Sequence, residues 1–493
     1  MPSVVATSTH PLSDNNWEPR EKDLKSYLHF DRNISKEEIS TLANDPIAVA
    51  RHAFFPLIRF HETWTKFRKN GKRTKKVRPL RYAARIDAAI YARYRSILSR
   101  AYEQELTRRS LSEVPVAYRK LPKKGGGNKS NIEISRDVFS FIKRTGDCFV
   151  TVVDIKSYFE SLGHKGIKET WEMLLGFPMP DDHIAVYRNL TRYSVVDYDK
   201  VLGRLKLYEK PVVGSRLSRR RRGIDELKSN RHKQLCSPAE FRKLIAGSDP
   251  ATPSLIQKNG FDFGIPQGTP ISDLVANFYL IDFDHEIHSL VSELGGLYRR
   301  YSDDIIVVLP TASSKTPLET KIFLQERIQH YGDRLRIQDK KVSVVRFERC
   351  GEEMKFSHVF GSASRNGLEY LGFEYDGERV KIRNSTLSNA WRKMKRQAYG
   401  HAASFVKRYR EKGKVWIIAN YPTKQMETHI LRDVTYKQDE GYKSWTFVKY
   451  VRRSSRAFVG FNPIFSAQTK KYRYYTKLMI EKSLQKALDV HFK

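Results

Sequence analysis

Leu297-Tyr-Arg-Arg-Tyr-Ser-Asp-Asp-Ile-Ile-Val-Val-Leu309 predicts two strands meeting at a tight turn, with Asp303 and Asp304 in that turn. Neighbouring carboxylates repel, and a turn between hydrophobic strands is a poor place for them unless a cation is there. A third acid ends another apolar run. Cys148-Phe-Val-Thr-Val-Val-Asp154-Ile155 reads as a buried strand because β-branched residues dominate it. If these strands are neighbours in one sheet, Asp154, Asp303 and Asp304 converge at one edge. Each acid taken singly is more often a turn or cap residue. Their force lies in order and context. A few aspartates on rigid elements can hold two divalent ions roughly 3.5–4 Å apart, an arrangement that activates a hydroxyl and stabilises a departing pyrophosphate. Magnesium prefers such hard oxygen ligands.

Between the acids lies Phe263-Gly-Ile-Pro-Gln-Gly-Thr-Pro-Ile-Ser272, an irregular loop running into the apolar, helical Leu274–Ile281, with Ser272 as the expected cap. Such a loop can press its backbone and the Gln267 amide against a nucleotide, or be a plain loop-to-helix junction.

The chain has 493 residues and a formal net charge of +35, from 90 Lys+Arg against 55 Asp+Glu. Its 40% apolar content is that of a globular protein, and so basic a balance points to a polyanionic partner, nucleic acid first and an anionic membrane surface second. Cys148, Cys236 and Cys350 are odd in number and lack zinc spacing, so they are expected to be reduced thiols. Residues 1–20 are polar and lack the apolar core of a signal peptide, and the apolar runs are too short to span a bilayer. The expectation is a soluble, cytoplasmic protein with no membrane partner.

Outward from the acids, apolar spacing predicts a helix over Tyr82–Leu106, preceded by a basic loop, Lys69–Arg78. Lys123–Lys129 is a glycine-rich flexible segment. Residues 164 to 195 read as helical, and 199 to 250 as a charged excursion containing Arg216-Leu-Ser-Arg-Arg-Arg-Arg222. Gly367–Tyr375 and Arg379–Arg383 read as short strands turning at Asp376-Gly377. After Ser388 the pattern is helical and strongly basic.

Together these segments resemble the reverse transcriptases. Val153-Asp-Ile-Lys-Ser-Tyr-Phe159 is similar to their first palm motif, and Gly264–Ser272 with Asn277 to the second. Tyr301-Ser-Asp-Asp304 is similar to the Tyr-X-Asp-Asp box, Gln338-Asp-Lys-Lys-Val342 falls where the lysine-bearing motif belongs, and Leu368-Glu-Tyr-Leu-Gly-Phe373 resembles the primer-grip hairpin. The motifs occur in family order and the resemblance covers residues 45 to 385. A finer resemblance is to bacterial defence-associated reverse transcriptases of the abortive-infection and unknown-group class. It rests on Arg78–Tyr91, Tyr102-Glu103, Val116-Ala-Tyr-Arg-Lys120, and Asp45-Pro46 through His52 and Pro56. The retron thumb motif Val-Thr-Gly is missing, and no zinc-finger or endonuclease spacing of the group II intron type follows. Those two enzyme types, and a noncatalytic RNA-binding scaffold, are the alternative readings.

The resemblance implies an α+β right hand: a lead-in at 1–45, fingers at 46–147, a palm with an antiparallel sheet at 148–377, and a helical thumb and C-terminal RNA-binding region at 378–493. The palm carries a basic insertion at 199–250, since more than a hundred residues separate its first two motifs. The implied activity is RNA-directed DNA synthesis in antiphage defence, with a structured noncoding RNA as template or scaffold, deoxynucleoside triphosphates as substrates and a DNA product. Whether the chain is a homo-oligomer is left open. By the same resemblance Asp154, Asp303 and Asp304 are catalytic and hold two Mg²⁺ ions, or Mn²⁺, with help from the Ile155 carbonyl. Phe159 is expected to be the gate against a ribose 2′-hydroxyl, and Gln267 to line the nucleotide pocket. Arg78, with Lys75 or Lys76, would clamp the triphosphate, Lys156 would also bind the nucleotide, and Lys340 or Lys341 would protonate the leaving pyrophosphate. RNA contacts are expected at Lys393, Arg396, Lys471, Tyr472 and Arg473, and at Arg219, Arg220, Arg221 and Arg222. For both sets a merely solvated charged surface is the alternative.

Overall fold

A computed structural model describes residues 16–66, 74–207, 227, 233–313, 316–362, 366–433 and 447–492. The protein is mixed helix and sheet. Its strands in chain order are β1 (Leu57–Lys66), β2 (Thr74–Tyr82), β3 (Cys148–Asp154), β4 (Ser194–Asp197), β5 (Gln257–Lys258), β6 (Leu297–Tyr301), β7 (Asp304–Pro310), β8 (Ser343–Cys350), β9 (Glu353–Gly361), β10 (Leu368–Tyr370), β11 (Phe373–Tyr375) and β12 (Val380–Ile382).

The central sheet has the order β6-β7-β3-β8-β9, and every pair in it is antiparallel. Its inner strands lack polar alternation because both faces are buried. Along β7, Ile305, Val307 and Leu309 enter one core with Val153 of β3 and Val344 of β8, while Ile306 and Val308 enter a second with Val150, Val345 and Phe347. The first core is completed by the helices Arg85–Arg108, Ser272–Phe278 and Ile281–Glu293. The second takes in the helix Asn131–Thr145, the β10-β11-β12 sheet, and the C-terminal helices Asn384–Arg408, Phe447–Ala457 and Tyr472–His491.

A further sheet, β2-β1-β4-β5, joins the β1-β2 hairpin to the two strands that flank the expected insertion: β4 runs parallel to β1 and β5 antiparallel to β4. A third core, with Leu28, Phe30, Ile58, Val196, Leu202 and Ile245, ties the N-terminal residues to that region. The arginine run Arg216–Arg222 lies outside the described residues.

Three local expectations are corrected. The basic segment expected to be a loop enters β2 at Thr74, with Arg78 opposite Glu62; residues 67–73 are outside the description. The long helix starts at Arg85 and not at Tyr82, because Tyr82 ends β2 and Asp31 supplies the helix start, its carboxylate accepting from the Ile86 N–H at 3.0 Å. Ser272 is not a cap. It is the first helical residue, and its buried hydroxyl donates to the Pro266 carbonyl at 2.6 Å, bracing the loop from behind.

Candidate active site

Asp154 is the last residue of β3 and Asp304 the first of β7, and the two are partners in the ladder. Ser302 and Asp303 make the turn between β6 and β7. The Ser302 backbone is left-handed, with φ +59°, a strained conformation for a residue with a Cβ. Arg300 holds it there. This fully buried guanidinium donates to the Ser302 carbonyl at 3.1 Å and to both oxygens of buried Asp284, at 2.7 and 2.5 Å. The Ile155 N–H then donates to the Asp303 carbonyl at 2.9 Å, and the Gln338 N–H to the Asp154 carbonyl at 2.8 Å. Strand ends, turn and the 336–338 segment are thus fastened to one another by backbone bonds.

The loop before Ser272 is pinned on two sides. Ile265 N–H donates to the Phe159 carbonyl at 2.8 Å, and Arg81 N–H of β2 to the Gln267 carbonyl at 3.1 Å. Gly268 makes the second contact feasible. Its φ is +118°, and a Cβ there would stand 2.3 Å from the Arg81 carbonyl oxygen. A cleft of about 540 Å³ results, with Asp154, Ile155 and Asp303 on its floor and Arg78, Phe159, Gln267 and Lys341 around them.

The acids are crowded. Burial, then the negative charge of Asp154, raises the Asp303 carboxyl above the ordinary range. Asp304 is pushed up to about 7 by burial, then by the charges of Asp303 and Asp154. Among the described residues the ammonium bonded to the acids is that of Lys341, whose Nζ lies 2.5 Å from Asp154 Oδ2. Among the described residues, no three His, Cys, Asp or Glu side chains group so as to enclose a metal ion. Asp154 and Asp303 face the cleft, and Asp304 sits beside Asp154 without lining it.

The other expected residues divide. Arg78, Phe159, Gln267, Ile155 and Lys341 line the cleft; Lys156 and Lys340 are exposed and do not. The side chains of Lys75 and Lys76, and all of Arg219 to Arg222, fall outside the described residues. Lys393, Arg396 and Arg473 are exposed on C-terminal helices, and Lys471 is exposed just before the last of them. Tyr472 corrects the expectation of an RNA contact. It is 2% exposed, with its ring centroid 5.0 Å from that of Trp391 and 5.2 Å from that of Phe447. It opens the buried stripe Tyr472, Thr476, Ile480 of its helix, so its sequence neighbours face outward.

Two residues escaped the sequence reading. Tyr118 lines the cleft, 47% exposed, in a left-handed conformation of φ +60°. Arg300 shows itself only in retrospect: with Tyr298 it occupies the buried positions of β6, and an inward arginine demands a buried acid.

No family model matches the chain, and no curated protein does. Solved structures that are similar include telomerases. The chain is 13% identical to an apo telomerase from Candida tropicalis over 88% of its own length and 63% of the other, with a TM-score of 0.37. For telomerase from Candida albicans in complex with a TWJ fragment of telomeric RNA, the identity is 12%, the coverage 90% and 63%, and the TM-score 0.35. A C-terminally truncated Candida tropicalis apo telomerase is 10% identical over 71% and 61%, at 0.34. The chain therefore spans less than two thirds of each, and likeness at this level assigns no function. Among the described residues, no helix is long and apolar enough to cross a membrane.

Proposed function

We propose that the chain is a template-directed nucleotidyltransferase of the reverse-transcriptase type, an RNA-directed DNA polymerase with a fingers, palm and thumb layout. Within that class, the sequence resemblance favours a bacterial enzyme of antiphage defence working with a structured noncoding RNA. The observation that carries the class is one cleft in which Asp154, at the end of β3, and Asp303, in the adjoining β6–β7 turn, meet Arg78, Phe159, Gln267 and Lys341.

The donor set suits Mg²⁺, which is commonly held by one or two carboxylates together with substrate phosphates. Asp154, Asp303 and the Ile155 carbonyl would be its ligands, Mn²⁺ being a substitute, and the crowding of acids favours cations there. Bound in the cleft, two such ions would activate the primer hydroxyl and neutralise the leaving pyrophosphate. Arg78 is placed to hold phosphate oxygens of a deoxynucleoside triphosphate. Lys341 sits where an ammonium can give its proton to the leaving group once it parts from Asp154. Phe159 and Gln267 wall the nucleotide, and Asp304 adds charge behind Asp154.

The test is primer extension on an RNA template by the full chain. DNA synthesis that needs Mg²⁺ and is lost in Asp303→Ala is the expected result. Extension that survives both Asp303→Ala and a chelator overturns the proposal, and so does RNA binding with no synthesis by the wild type.

A further inference from the structure

A second cavity, of about 660 Å³, shares no lining residue with the active-site cleft. It lies between the glycine-rich segment at 123–129, the helix Asn131–Thr145 and the helix Phe447–Ala457, so both halves of the sequence build it. Six cationic side chains line it: Lys123, Lys124, Lys129, Arg136, Arg453 and Arg456. Only Glu133 and Asp137 oppose them.

Those two carboxylates are already committed. Glu133 accepts from Arg453 Nη2 at 2.6 Å and from the Ser130 N–H at 2.8 Å. Asp137 is paired with Arg136 at 2.8 Å and Lys129 at 3.1 Å. Lys124 and Arg456 make no ion pair or hydrogen bond among the described residues. Like charges gathered without matching acids raise the energy of the empty cavity and favour an anion in it. The lining has no aromatic ring and only Ala457 as an apolar side chain, so it offers phosphates their partners and bases no aromatic face to stack on.

Asn131, the first residue of the cavity's central helix, lies next to the side chain of Tyr301, which directly precedes the Ser302-Asp303 turn. We infer that this cavity grips consecutive phosphates of a nucleic-acid backbone, independently of base sequence, as the strand passes between the cleft and the C-terminal helices. The inference takes from the proposed function only the polymer's identity; its test does not depend on catalysis.

Wild type, Lys124→Ala/Arg456→Ala and Lys124→Gln/Arg456→Gln are titrated by fluorescence anisotropy against labelled oligo(U), oligo(A) and oligo(dT) over a salt series. Both variants are expected to bind all three about 10-fold more weakly at low salt. The slope of log affinity against log salt should fall by about 1.4, about 0.7 for each cation lost on a single strand. Their melting temperatures should match the wild type, because neither side chain has a partner to lose among the described residues. Unchanged affinity and slope in whichever variant keeps its fold overturns the inference, and so does a loss confined to one base. A parallel arm uses inorganic tripolyphosphate. If it stabilises the wild type but not the variants, while oligonucleotide binding is equal in all, the cavity serves a free polyphosphate and the backbone reading is wrong. Asp303→Ala is carried alongside and should bind like the wild type. If it extends primers normally while the cavity variants lose binding, the proposed function fails and this inference stands.

Discussion

Asp304 faces Asp154 across the ladder, and without cations the two cannot both ionise cheaply. Its carboxyl is raised from 3.8 to about 7 in the folded protein. The fold therefore binds more protons than the unfolded chain between those values, so this group's share of stability is lost as pH rises through that window. The loss is on the order of 2–4 kcal/mol above neutrality. Asp304→Asn should melt higher than the wild type in chelator at about pH 8, with the gap closing towards pH 4 and shrinking when Mg²⁺ is added to the wild type. A gap independent of pH rules this out. Two other side chains give separate outcomes. Phe159→Ala should raise ribonucleotide incorporation relative to deoxynucleotide, measured as a ratio of kcat/KM values; an unchanged ratio removes the gate assignment. Arg300→Met leaves the Asp284 carboxylate buried without its partner, at a cost of about 3–5 kcal/mol, and releases the Ser302 turn. Adding Asp284→Leu should restore much of the melting temperature but not the primer extension, because the carbonyl clamp on Ser302 is still gone.

The loop from Phe263 to Ser272 works as a unit, and Gly268 is where it can be tested. Gly268→Ala would place a methyl against the Arg81 carbonyl in a conformation that costs about 1–3 kcal/mol for a residue with a Cβ. The loop must lift from β2 and take Gln267 with it. A KM for deoxynucleotide raised about 10-fold is expected, whereas Gly260→Ala, with open space around its position, should leave KM alone. Equal KM values in both would show that the loop does not form the pocket. The contrast also shows what the sequence could reveal. The apolar runs at 148–154 and 304–310 announced their strands and Asp303 its turn, because those signals are local, whereas Asp304, expected in the turn, opens β7. The start of the helix at Arg85 was hidden, since its cap comes from Asp31, more than fifty positions earlier. The placement of β4 beside β1 was hidden too, as was the inward role of Ser272. Tyr472 misled because a basic-aromatic run read one residue at a time conceals that every fourth position faces the core.

The C-terminal helices read as an appended basic region, yet they share a core with the sheet that carries the acids. Along Asn384–Arg408 the buried positions are Ala390, Met394, Ala398, Ala402 and Val406, one every four residues. The small alanines let the helix Tyr472–His491 approach closely and set Ile480 and Leu488 into the core that also holds Val150, Ile306 and Val308. Removing that helix takes two large aliphatic side chains out of the core, worth about 2–5 kcal/mol each by large-to-small substitution, besides Tyr472. Set against a typical net stability of about 5–15 kcal/mol, this is enough to unfold the sheet and not merely to detach a tail. A chain ending at Lys471 should therefore lose its cooperative thermal transition and yield to protease within β3 and β7. Ile480→Ala alone should lower the melting temperature while primer extension at low temperature persists. If the shortened chain instead keeps a sharp transition near that of the full protein, the helices form an independent domain and the shared core contributes little.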